Sequence, residues 1–152
     1  MTVDEFAYGL RTLEKIIEKG GALQTEILAE RVAETAKSYL GTYQPGWPPL
    51  AASTIASKTT GNSPLLETGL LRDTISVRKQ PFPPDEVLVA YGIGSRLPRA
   101  LWMEGGTKWK DGSIHVPPRP FLLLALSEHE MDITESLDRT IGECIDIAFG
   151  IP

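Results

Sequence analysis

The stretch VPPRPFLLLAL, residues 116 to 126, constrains the fold of this chain more than any other. Pro117, Pro118 and Pro120 hold the backbone extended and remove three hydrogen-bond donors. Six apolar residues follow at once, and with no polar face FLLLAL needs cover on both sides. An inner strand screened by a helix meets that need, so the pattern predicts a buried strand over 121–126. With 152 residues, 41% of them hydrophobic and 23% charged, the chain has the material for one such core. A single domain over residues 1–152 is expected.

The flanking segments read as helices. Thr2 and Glu5 have capping-box spacing, and Phe6, Leu10, Leu13 and Ile17 then mark one helix face. Gly20-Gly21 interrupts that pattern, and a second helix is expected to run to about Leu40, completing a helical part over 1–43. A long connection over 44–66 follows, rich in Gly, Pro, Ser and Thr, with at most a short helix around 51–58. Within it, Trp47 plugs the edge of its own core or anchors a partner.

Residues 67–126 read as the sheet region. Thr68 can cap a short helical turn, and Ile75 and Val77 alternate with Ser76 and Arg78 as a half-buried strand does. PFPPD makes a turn, EVLVAYGIG returns as an antiparallel strand, and Pro98 to Glu104 form a short helix. Ser127 and Glu130 then form a second capping box at the head of a C-terminal helix over 127–149. That helix carries Leu137, Ile141, Ile145 and Ala148 on one side and Glu135, Asp138, Glu143 and Asp146 on the other. The fold class is therefore α+β: a small, mainly antiparallel sheet packed by N-terminal helices and a long C-terminal helix.

Charge is unevenly placed along the chain. Residues 44–126 hold nine basic and six acidic groups, whereas residues 127–152 hold one and seven. Such a split suits self-association, with the acidic face of one copy meeting a basic face of the next. The basic excess is spread out rather than gathered into a DNA-binding footprint; the one basic and aromatic cluster is Lys108-Trp109-Lys110, on a glycine-flanked loop.

Reactive constellations are missing from the pattern. His115 and His129 belong to no metal-ligand spacing, and YGIGSRL lacks the third glycine of a dinucleotide fingerprint. No serine sits in a G-x-S-x-G elbow, and the single cysteine, Cys144, falls on an apolar helical stripe where a buried, inert thiol is expected. No apolar run reaches membrane-helix length and MTVDEFAYGL does not read as a signal peptide, so a soluble chain, cytosolic at synthesis, is expected.

Four islands carry a resemblance to a known family. They are Gly46-Trp47-Pro48-Pro49-Leu50 with Thr54 and Lys58; Leu65-Leu66 with Thr68-Gly69 and Leu71-Arg72-Asp73-Thr74-Ile75; Ala100 with Met103-Glu104-Gly105-Gly106-Thr107; and Pro118-Arg119-Pro120-Phe121-Leu122. In order and spacing they resemble the virion-morphogenesis proteins of tailed bacteriophages, small neck or tail-completion proteins that multimerise where head meets tail. The likeness covers residues 44 to 126. Arg99 stands where the family has tyrosine, Gly105 where it has an aromatic residue, and Pro118 where a small residue is common.

The resemblance implies a structural protein without catalysis or cofactor, assembling as a ring at the head-tail junction. Its partners would be further copies of itself and phage connector, neck and tail proteins. It would reside in the host cytoplasm during assembly and then in the virion, without membrane association. Candidate interface or structural residues are Trp47, Arg72, Glu104, Lys108, Trp109, Lys110, Arg119, Glu135 and Asp138; no catalytic, cofactor-binding or metal-binding residue is expected. The alternative is an accessory protein that contacts nucleic acid through the basic 96–119 region. Arg119 either bonds backbone carbonyls of its own subunit or reaches across a subunit joint.

Overall fold

A computed structural model describes residues 2–79, 91–95 and 97–150. The elements in chain order are α1 (Val3–Tyr39), α2 (Ala52–Ser57), α3 (Leu70–Thr74), β1 (Ile75–Lys79), β2 (Tyr91–Ser95), α4 (Pro98–Gly105), β3 (Thr107–Lys108), β4 (Ile114–Val116), α5 (Leu122–Glu128) and α6 (Glu130–Phe149). β1 pairs with β2 and β3 with β4, giving two small antiparallel sheets, and the fold class is α+β as expected.

Several local expectations need correction. The Gly20-Gly21 pair does not interrupt the first helix, which is continuous over 37 residues. Two glycines cost a helix roughly 1 kcal/mol each. Against that cost stands packing, for a Cβ added at Gly20 would lie 3.8 Å from the Cys144 sulfur on α6. FLLLAL is not a strand: residues 122–128 form α5. Leucine and alanine are strong helix formers and the segment contains no β-branched residue, a preference that outweighs the apolar run. Nor is α5 covered all round, since Phe121 and Ala125 are fully buried while Leu123 and Leu126 are exposed.

The second capping box also fails. Ser127 lies within α5 and its hydroxyl donates to the Leu124 carbonyl, so α6 starts at Glu130 behind His129. By contrast the first box forms as expected: Thr2 N–H donates to Glu5 Oε2 (2.6 Å) and Glu5 N–H to Thr2 Oγ1 (3.2 Å). Thr68 contributes only a long bond from Leu70 N–H, 3.4 Å, and the N-cap position of α3 is Gly69 in the left-handed conformation. The turn PFPPD and residues 86–90 of the expected return strand lie outside the described residues.

The chain divides into two compact units, one comprising 1–29, 78–92 and 129–152 and the other 30–77 and 93–128. The first unit brings the early part of α1 against α6 in antiparallel fashion. Phe149 stacks with Phe6 at 5.8 Å between ring centroids, and Gln24 donates to Ser136 Oγ. Its core is thin: of the buried hydrophobic side chains among the described residues, only Leu28, Ala29 and Cys144 belong to it.

The second unit holds the remaining core, including Val32, Ala36, Trp47, Ile75 and Phe121. There the Tyr39 hydroxyl donates to the Glu128 carboxylate. Burial, then the bond to Glu128 and its charge, push the phenol from 10.0 up to about 12. The folded chain thus keeps this proton to higher pH than the unfolded chain does. The stability it contributes is intact below about pH 10 and is lost as pH rises through about 12. Denaturant midpoints measured from pH 9 to 12 should fall more steeply for the wild-type chain than for Tyr39→Phe; parallel profiles would contradict this account.

Candidate functional site

The best-built cluster of the second unit centres on the turn into α5. Glu104, in the last turn of α4, accepts from three successive backbone donors: Phe121 N–H (2.9 Å) and Leu122 N–H (3.0 Å) at Oε2, and Leu123 N–H (2.8 Å) at Oε1. These are N–H groups that a helix start leaves without intrahelical partners, and a carboxylate there also opposes the positive end of the helix dipole. Arg119 N–H donates to the Met103 carbonyl at 2.7 Å, a second link between α4 and this turn.

Arg119 takes the first of its two expected courses. Its side chain is buried, 4% exposed, and Nη2 donates to the carbonyl oxygens of Pro48 (2.9 Å) and Pro49 (3.3 Å). No described carboxylate forms an ion pair with it, and Nε has no hydrogen-bond partner. Burial pushes the guanidinium below the ordinary arginine value. Trp47, beside Pro48, is buried as well, and its Nε1 also lacks a partner.

A parallel arrangement ties the long connection to the segment before α3. Lys58 Nζ donates to the Ser63 and Leu66 carbonyls, each at 2.5 Å, and stands 3.9 Å from Glu67. Glu67 accepts from Thr59 N–H and Thr59 Oγ1, bonds that hold its carboxyl below the usual range. Tyr43 donates to Asn62 Oδ1 (2.6 Å) and accepts from Leu50 N–H (3.0 Å), bracing the same connection. Neither the three-donor role of Glu104 nor this use of Tyr43 has a local sequence signal, because their partners lie 17 to 19 and 7 to 19 residues away.

Between these groups lies a cavity of about 620 Å³. Leu50, Leu66, Leu71, Leu97, Met103 and Val116 supply apolar wall, while Arg99, His115 and Arg119 bring basic groups to it. Leu65, also in the wall, has φ of 57°, the one positive value among the described non-glycine residues. That conformation costs of order 1 kcal/mol or more and persists only where the surroundings enforce it.

No family model, curated protein or solved structure matches the chain.

Of the other candidate residues, Lys108, Trp109, Lys110, Arg72, Glu135 and Asp138 do not line the cavity. Lys108, Trp109 and Lys110 are exposed on the β3–β4 hairpin, where the Trp109 ring lies 3.8 Å from that of His115. The hairpin depends on Gly106, whose φ is 70° and where an added Cβ would stand 2.7 Å from the Val116 carbonyl oxygen. Arg72 is exposed beside Asp73, 3.6 Å away. Glu135 and Asp138 are exposed on α6, in the first unit. Among the described residues no group of three or more His, Cys, Asp or Glu side chains is placed to hold a metal ion, and no helix is long and apolar enough to cross a membrane.

Replacing Glu104 by alanine leaves the first N–H groups of α5 without their acceptor and should cost about 2–3 kcal/mol. Glu104→Gln, which retains one acceptor oxygen, should cost less. Urea midpoints at constant m-value test this order, and an unchanged midpoint for Glu104→Ala would show that α5 does not depend on the carboxylate.

Proposed function

We propose that this protein is a non-enzymatic structural component of a tailed-phage virion, a neck or tail-completion protein that assembles at the head-tail junction as a ring. The observation that carries this reading is what the four resembling islands do. Arg119 of the fourth holds the Pro48 and Pro49 carbonyls of the first, and Glu104 of the third caps the helix that the fourth begins. Lys58, of the first, holds the Leu66 carbonyl of the second. Their most distinctive side chains thus work on backbone groups of one another, as the shared frame of a structural family would.

Self-assembly is supported by the thin core of the first unit and by its charge. By sequence it holds six basic and thirteen acidic groups, against nine and seven in the second. A ring requires two different complementary surfaces on each copy.

Contact with DNA is the second reading. It rests on Trp109, 56% exposed and flanked by two exposed lysines on the hairpin. Binding of that kind would weaken steeply with salt.

Deleting the gene in a phage that encodes this protein should leave filled heads and finished tails unjoined. Electron microscopy of the lysate should show both, with infectivity restored by the gene supplied in trans. Normal joined virions from the deletion strain would overturn the reading.

A further inference from the structure

We infer that the cavity of the second unit is the socket for α6 of another copy. The inference rests on the self-assembly part of the reading above and gives that assembly its joint.

On the α6 side, Ile141 and Ile145, expected on the covered side opposite Asp138, are exposed beside it instead: Met131, Thr134, Asp138, Ile141 and Ile145 follow one another at steps of 3, 4, 3 and 4. Side chains so spaced form one helix face. All five are exposed, with Met131 at 75% and Ile141 at 47%. The stripe therefore pairs apolar groups with a carboxylate, on a helix otherwise rich in acids. A helix that presents both an inner and an outer apolar stripe has one more surface than its own unit covers.

The cavity offers the matching chemistry. Its wall is mainly leucine, methionine, valine and proline, and its volume of about 620 Å³ is ample for two isoleucine side chains and a carboxylate. Lys58 and Glu67 also line it and, 3.9 Å apart, offset one another, so the net charge of the wall comes from Arg99, which is exposed there and forms no ion pair with a described carboxylate, and from Arg119. The buried Arg119, with Nε unpartnered and no ion pair to a described carboxylate, adds positive charge that carbonyl dipoles alone offset. Leu65 in the wall holds a left-handed conformation, which persists where surrounding contacts enforce it. Apolar with cationic groups on one side and apolar with acids on the other, the two surfaces are unlike each other and complementary. Their joint is head-to-tail: it uses the helix of one copy and the socket of the other, so a joined pair keeps one free socket and one free helix, at opposite ends, for the next copies.

Two variants separate this joint from any other. Asp138→Lys with Ile141→Lys spoils the helix face, and Arg99→Glu with Leu70→Asp spoils the socket; all four positions are exposed, and circular dichroism checks that both proteins stay folded. Light scattering and sedimentation over a concentration series should show the wild-type chain associating and each variant weakened by about tenfold or more. The decisive measurement is the mixture. The socket variant still has a sound helix and the helix variant a sound socket, so together they should form a 1:1 dimer that grows no further. Two variants that both assemble like wild type would overturn this joint while leaving a ring built through other surfaces. A mixture that stays monomeric, while wild type associates, would overturn it too. A wild-type chain that stays monomeric at every concentration would overturn the self-assembly reading and the joint together.

Discussion

Everything in the second unit turns on one exchange of unsatisfied groups around the sequence PRPFL. The prolines there cannot donate hydrogen bonds, and the helix that follows begins with donors in need of acceptors. Glu104 supplies the acceptor, and Arg119, sent back into the unit by the same turn, supplies donors to carbonyls of the Pro48-Pro49 segment, where the backbone has none to spare. Two charged side chains thus satisfy backbone left stranded by proline. The arrangement fixes α4, the long connection and α5 against one another without a regular sheet to do so. It also explains why an arginine is tolerated in the interior with no acid beside it: its duty is to carbonyl dipoles.

How far the sequence made this visible depended on how local the cause was. The Thr2–Glu5 cap, the strand at Ile75, the short helices at 52–57 and 98–105 and the buried Cys144 all follow from spacing within a few residues, and all are present. The errors came where one cue had two readings. FLLLAL satisfied the rule for a doubly covered strand, but its leucines favour helix, and a capping carboxylate 17 residues earlier in the chain decided the matter. Gly20-Gly21 read as a break because the packing of Cys144 beside Gly20 is invisible in a linear pattern. At the candidate site, Arg119 and Glu104 lie within the islands, while their duties as clamp and cap are long-range facts that no local pattern carries.

The two units divide their labour. One has most of the core and a slight basic excess; the other has two long helical faces, little core and most of the acids. On the proposed assembly, association covers the exposed stripe of α6, which its own unit leaves open.

The lone cysteine turns the thin unit into its own reporter. Cys144 is 4% exposed, it is the only thiol in the chain, and it packs beside Gly20 between α1 and α6. A thiol reagent reaches it when those helices part, so the rate of alkylation counts openings of that helix pair, and a rate above that of global unfolding would mark local opening. The residue that contributes no chemistry thereby registers, molecule by molecule, how firmly the pair is closed.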